Sequence, residues 1–316
     1  MRIENINHVA IIGTGMIGAS MAALFTGNGY PTTMLAVNEQ EKEKGRCLYD
    51  TCFEDLIEKK LVTKEQAVRC SKLLSFTFEY SDIAHTDFIF ECVVERLDVK
   101  YCVYEKIEEH CKQFKALASS TSALSADDLA EGLTKHKDKL VVAHPYNPPH
   151  LVPFVEIVKS KYTSEEAAQT TYDVLESTGR KAIIMQRSAP GFVANRLQHA
   201  LLREAVHIVE EGLATPRDID KALMYSFMPR YTSVGLFEHQ DAAGLDLVKS
   251  IEDYLLPTLS NCNCTPEFFN KLVNENNLGM KTGKGVYEWS EDAKDDFRMR
   301  ASAPYLCHFN WDIPKE

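Results

Sequence analysis

"HVAIIGTGMIGAS", residues 8–20, decides the fold. An apolar, strand-like run leads straight into Gly13, Gly15 and Gly18 in G-x-G-x-x-G spacing, and an amphipathic segment follows. Each glycine has a reason to be there: Gly13 permits a tight turn, Gly15 lets the backbone approach a pyrophosphate, and Gly18 lets helix and strand pack closely. The helix that follows would turn unpaired N–H groups and a favourable dipole towards phosphate charge. Alone the spacing is a weak signal, but at the head of a strand-turn-helix-strand unit it predicts a dinucleotide site.

The rest of the first half repeats that alternation. Short apolar runs at 8–13, 32–37, 87–93, 116–120, 140–145 and 182–186 are separated by amphipathic segments such as 98–112, for which Asp98 is the expected cap. This pattern predicts an α/β fold, a Rossmann-type doubly wound sheet with helices on both faces, over residues 1–189. From Pro190 the texture becomes helical, so 190–316 is expected to be an all-α C-terminal domain. Its first helix is read as 190–212, with Pro190 in the first turn, an apolar stripe through Val193, Leu197, Leu201 and Ala205, and Gly212 at the end. A second begins at the cap Thr215, with Pro216 and Asp218 in its first turn.

Composition narrows the function. Thirty-five basic against 46 acidic residues give a net charge of -11, which argues against nucleic-acid and anionic-membrane partners, because both need basic surface. The early apolar run is too short and too broken by glycine for a signal peptide, and no apolar stretch reaches the roughly 18 residues that span a bilayer. Nine scattered cysteines suggest a reducing, cytoplasmic setting; only Cys262 and Cys264 sit close together, and without partnering ligands they predict no metal site.

The second half of the dinucleotide fingerprint is missing. An acid is expected about 20 residues after the loop to hold the adenosine ribose. Here "LAVNEQ" offers Ala36, Val37 and Asn38, and Asn38 can hydrogen-bond a ribose hydroxyl. Lys42, Lys44 and Arg46 follow, so NAD is the expected cofactor with NADP left open.

"AHPYNPPHLVPFVEIV", residues 143–158, holds the candidate chemistry. His144 ends a strand-like run and should emerge at the carboxyl edge of the sheet, where open α/β folds bind ligands. Neutral imidazole is a natural base, and a carboxylate on its other nitrogen would fix the tautomer and stabilise the imidazolium. Glu156 lies amid apolar residues and needs a partner if buried. From spacing alone, a surface histidine and an edge-strand glutamate are equally good readings.

"SSTSALS", the 143–158 stretch, "APGFVANRLQHALLREA" and "KTGKGVYEW", in that order behind the glycine loop, resemble the 3-hydroxyacyl-CoA dehydrogenase family across essentially the whole chain. "SSTS", "GFVANRLQ" and "PRYTSVGLFE" are more similar to its lambda-crystallin branch, which includes L-gulonate 3-dehydrogenase. The resemblance implies an NAD(P)-dependent dehydrogenase interconverting a 3-hydroxy acid and its 3-oxo acid. His144 then matches the catalytic base, Glu156 its orienting carboxylate, Ser122 the serine binding the reacting oxygen, and Asn195 the asparagine completing that cluster. Met16, Ile17, Glu95, Lys100, Asn147 and Lys281 match cofactor contacts, and the family's ribose-binding aspartate falls at Ala36.

Read without the family, Ser122 is a turn or cap serine, Asn195 a first-turn polar residue and Lys281 a solvated charge. Arg230 in "MPRYTS" suits a two-pronged contact with a substrate carboxylate, or simply the surface. The expected substrate is a small free 3-hydroxy acid such as a sugar acid. The alternatives are a short-chain 3-hydroxyacyl-CoA such as 3-hydroxybutyryl-CoA, carnitine, or a catalytically silent crystallin-like role. The family also implies a homodimer.

Overall fold

The computed structural model describes residues 3–315. Among these, eight strands make one sheet: β1 (Val9–Ile12), β2 (Thr32–Leu35), β3 (Leu74–Thr77), β4 (Phe88–Glu91), β5 (Ala116–Ser119), β6 (Leu140–Pro145), β7 (Phe154–Lys159) and β8 (Lys181–Met185). Their order is β3-β2-β1-β4-β5-β6-β7-β8, and every neighbouring pair is parallel except β6 with β7. The helices of this part are α1 (Met16–Gly27), α2 (Glu39–Glu58), α3 (Lys64–Ser71), α4 (Leu97–His110), α5 (Ala126–Glu131) and α6 (Glu165–Ser177).

The continuous apolar runs are explained by coverage on both faces. Along β1, Val9 and Ile11 enter one core with residues of α1, α2 and α6, while Ala10 and Ile12 enter the other with residues of α4 and α5. Strand order reverses between β1 and β4, which opens a crevice at their carboxyl ends, and the glycine loop leaves β1 there.

The chain divides into two compact units, Met1–Phe192 with Arg300–Glu316, and Val193–Met299. Assigning all of 190–316 to one helical domain is therefore corrected, because the chain returns to the first unit from Arg300 onward. The reason is local packing. Trp311 is buried against Phe53, and a Cβ on Gly27 would stand 2.2 Å from its ring. Asn28 Oδ1 accepts from the Asp312 N–H at 2.9 Å, and Arg69 Nε donates to the Pro314 carbonyl at 2.8 Å.

Within the second unit the helices are α7 (Ala194–Glu210), α8 (Pro216–Tyr225), α9 (Leu236–Ala243), α10 (Leu245–Leu255) and α11 (Glu267–Asn274), and α12 (Glu291–Ser302) runs across the boundary. The expected helix at 190–212 is corrected at its start: Gly191 and Phe192 have φ of 77° and 48°, which interrupt a right-handed helix, so α7 begins at Ala194. The second helix starts as expected, with reciprocal hydrogen bonds between Thr215 and Asp218.

Two further expectations change. Asp98 does not cap α4; Arg96 occupies that position, and Asp98 sits in the first turn ion-paired with Arg96. Glu156 is not on an edge, since β7 lies between β6 and β8. β3, absent from the expected strands, pairs only with β2 and is half-exposed, so its sequence carries little periodic signal.

Candidate active site

The glycine loop is shaped by close approach. Gly13 has φ of 110°, and a Cβ there would stand 2.6 Å from the Cys92 carbonyl oxygen; a Cβ on Gly18 would stand 2.2 Å from the Gly13 oxygen. Gly15 differs, because a Cβ there would meet nothing within 4 Å. It caps α1 and, being glycine, brings no side chain to the first-turn N–H groups. Met16 is exposed and Ile17 is half-buried against the core beneath. This cradle fits a dinucleotide: Gly13 to Ile17 would hold the pyrophosphate on backbone N–H groups.

At the end of β2, Asn38 also has a structural task. Its Oδ1 accepts from the Glu41 N–H at 2.9 Å and caps α2. The cations that follow are already matched with acids, Lys42 with Glu39 at 2.8 Å, Lys44 with Glu41 at 3.4 Å and Arg46 with Asp50 at 3.1 Å.

Beneath the edge of β4 and β5 lies a buried ionic cluster. Glu91, fully buried, accepts from Lys100 Nζ at 2.7 and 2.9 Å, from Ser119 Oγ at 2.7 Å and from Tyr104 OH at 3.0 Å. Burial pushes the Tyr104 phenol well above its usual range, with the Glu91 charge adding to it. Lys100, expected to touch the cofactor, is 0% exposed and works from underneath. Its Nζ lies 3.5 Å from Glu95, which accepts from the Ser122 N–H at 3.0 Å, the Ala123 N–H at 3.2 Å and the Thr121 hydroxyl. Partial burial opposes charge on Glu95, but the Thr121 bond, the Lys100 charge and those N–H groups bring its pKa below the usual value. Glu95 thus fixes the turn that presents Ser122, which is exposed.

His144 and Glu156 meet because β6 and β7 form a hairpin. In the antiparallel register His144 stands opposite Glu156, and directly opposed residues project to the same face. Nδ1 lies 3.2 Å from Oε2; the imidazole is 12% exposed and the carboxyl fully buried. With the carboxylate accepting, Nδ1 carries the proton and Nε2 keeps its lone pair. The ring packs on Phe192 at 5.3 Å and Tyr146 at 5.7 Å between centroids. Ser119 of β5 pairs with Val142, so the turn bearing Ser122 leaves the sheet beside the end of β6.

Three contributors escaped the sequence reading. Arg180, buried to 1%, donates from Nη1 to the carbonyls of Pro149 at 2.8 Å and Val152 at 3.1 Å, and burial lowers its pKa to about 10. His150, also in the hairpin loop, contacts Ser20 Oγ of α1 at 3.2 Å and Asp55 of α2 at 3.1 Å. Burial would lower its pKa, but hydrogen bonds with Asp55 and Cys52 raise it to about 9, so it is cationic. Together they tie the loop to the two helices beside the glycine turn. The third is Phe192, held at positive φ at a cost of about 1–3 kcal/mol so that its ring covers His144. His150, beside the apolar run at 151–158, was the available signal for the second; nothing in the sequence marked Arg180, between Gly179 and Lys181, or the backbone state of Phe192.

Asn147 is exposed in the same loop. Asn195, Arg230 and Lys281 belong to the second unit: Asn195 in the first turn of α7, Arg230 in a short turn with Nη1 2.6 Å from His239 Nε2, and Lys281 exposed in the turn after α11.

A doubly wound sheet, a glycine loop leading into a helix N-terminus and an acid-supported imidazole at the end of β6 define an NAD-binding oxidoreductase. The chain belongs to the 3-hydroxyacyl-CoA dehydrogenase family: residues 8–188 match its NAD binding domain and 191–289 its C-terminal domain. It is 35% identical over 236 residues to an L-carnitine dehydrogenase of Oceanobacillus iheyensis, covering 75% of this chain and 76% of that one. A 3-hydroxybutyryl-CoA dehydrogenase of Clostridioides difficile is 28% identical over 284 residues, covering 90% and 99%. Among solved structures, 5-formyl-3-hydroxy-2-methylpyridine 4-carboxylic acid 5-dehydrogenase, an NAD+-dependent dismutase, superposes with a TM-score of 0.83 at 26% identity, covering 96% and 97%. The protein is an NAD-dependent dehydrogenase of the hydroxy acid and hydroxyacyl-CoA class. Among the described residues no helix is long and apolar enough to cross a membrane.

Proposed function

We propose that the protein oxidises the 3-hydroxyl of a small free 3-hydroxy acid to the 3-oxo acid, as L-gulonate 3-dehydrogenase does. The observation that carries the reaction is the His144–Glu156 pair, 3.2 Å apart with the carboxyl buried. His144 Nε2 takes the hydroxyl proton as the hydride leaves the same carbon, and Glu156 stabilises the imidazolium that forms. Ser122, on the turn fixed by Glu95, hydrogen-bonds the reacting oxygen. Bound NAD supplies the hydride acceptor, held by the Gly13–Ile17 loop.

A free carboxylate is favoured by Arg230, whose hydrogen bond goes to an imidazole nitrogen rather than to an acid. A guanidinium is always charged and offers a two-pronged contact to a carboxylate. Asn195 is assigned to the substrate cluster, and Asn147 and Lys281 to the cofactor, on the family resemblance. A second reading, a short-chain 3-hydroxyacyl-CoA, is favoured by "KTGKGVYEW" at 281–289 and by the near full-length match to a 3-hydroxybutyryl-CoA dehydrogenase. Assay of the purified protein with L-gulonate, L-carnitine and 3-hydroxybutyryl-CoA, each with NAD and NADP, separates them. The proposal requires the highest kcat/KM with a free acid and NAD, and preference for the thioester overturns it.

All nine cysteines are free, which suits the cytoplasmic setting assigned here. Leu247, Ile251 and Tyr254 of α10 are exposed, a face suited to a second copy in a homodimer, which sedimentation would test.

A further inference from the structure

Cys262 and Cys264 lie between α10 and α11, where residues 259–266 form neither helix nor strand. The segment is pinned on both sides to α7 by carboxylates, Glu204 accepting from the Ser260 N–H at 2.7 Å and Glu210 from the Phe268 N–H at 2.8 Å. Between these anchors the two sulfurs stand 3.4 Å apart, and Cys262 Sγ is 3.3 Å from the Cys264 carbonyl oxygen. Cys264 is exposed and Cys262 half-exposed, so both are within reach of a small reagent. A disulfide needs the sulfurs at about 2.05 Å, so closing the pair brings them together by little more than about 1 Å.

The two thiols are unequal. Hydrogen bonding to the backbone and thiol of Cys264 brings the Cys262 pKa below that of an ordinary thiol, with Glu210 opposing and Arg203 assisting. The same bond pushes Cys264 up. With the sulfurs 3.4 Å apart, this inequality favours Cys262 as the attacking thiol and Cys264 as the resolving one.

We infer that Cys262 and Cys264 form a redox-responsive dithiol that closes to an intramolecular disulfide by exchange with a low-molecular-weight disulfide such as glutathione disulfide. The Cys262 thiolate attacks one sulfur of the reagent, forming a mixed disulfide and expelling one glutathione thiolate. Cys264, losing its proton, then attacks Cys262 Sγ and expels the second. The protein loses two electrons and two protons, and the reagent becomes two glutathione thiols. No part of this depends on the identity of the hydroxy acid oxidised elsewhere in the molecule.

The test incubates the reduced full-length chain with glutathione disulfide, blocks residual thiols by alkylation, and reads the peptide holding both cysteines by mass spectrometry. The wild-type peptide is expected to become lighter by two hydrogens, with no glutathione attached and ahead of reaction at exposed Cys47 and Cys102. Cys264→Ser should stop at a glutathione adduct on Cys262, and Cys262→Ser should react more slowly at Cys264. A stable glutathione adduct on the wild-type pair overturns the inference. So does a pair that stays fully alkylatable while Cys47 and Cys102 have reacted.

Discussion

His144 and Glu156 face each other across the antiparallel step of an otherwise parallel neighbourhood, with Nδ1 3.2 Å from Oε2. The reversal between β6 and β7 lets a buried acid reach the base from the adjacent strand. Removing the base should lower kcat by about 10² to 10⁴ in His144→Ala, with NAD affinity unchanged, because a positioned general base contributes that much. Turnover assays with NADH fluorescence titration check this, and near-normal kcat removes the assignment.

Glu156→Gln keeps a hydrogen-bond acceptor but takes away the negative charge that favours imidazolium. The imidazolium that forms as the base takes the proton loses that support, so kcat for alcohol oxidation should fall while NAD affinity holds. An unaltered kcat argues against the pairing.

Gly15→Ala and Gly18→Ala separate ligand space from packing space. A methyl on Gly15 meets only open space in the protein, so its melting temperature should hold while NAD binding weakens. A methyl on Gly18 would stand 2.2 Å from the Gly13 oxygen, so both melting temperature and NAD binding should fall. Thermal melts with and without NAD make the comparison.

His150 predicts a pH dependence of stability. Its folded pKa, about 9, is above the unfolded value of about 6.5, so its contribution is complete below pH 6.5 and is lost as pH rises through 9. The whole effect is on the order of 3 kcal/mol. Denaturant unfolding between pH 6 and 10 should show this fall in the wild type and a shallower one in His150→Gln.

Arg180→Met removes the donor shared by the Pro149 and Val152 carbonyls while leaving apolar volume. Stability is expected to fall by about 1–3 kcal/mol. Because the loop that follows the base and joins β6 to β7 loosens, kcat should drop more than NAD affinity. Equal effects on kcat and on NAD Kd would place Arg180 outside this role.

The doubly wound sheet and the glycine loop were readable because strands covered on both faces and a phosphate turn each leave a local pattern. The His144–Glu156 pair was readable as chemistry, although its strand pairing depends on register, and registers are set by contacts distant in sequence. Asn38 and Asp98 show the limit: a short polar side chain near a helix start can cap it, lie in its first turn or bind a ligand, and only the backbone decides. Phe192 and the return of the chain at Arg300 left no periodic trace at all.

The seating of Trp311 over Gly27 has a consequence for how the molecule is made. The Asn28–Asp312 contact spans 284 positions, so the nucleotide-binding half stays unfinished until nearly all of this sequence has been translated. The helical unit is an insertion tethered to that half at both ends rather than a domain appended to a completed one.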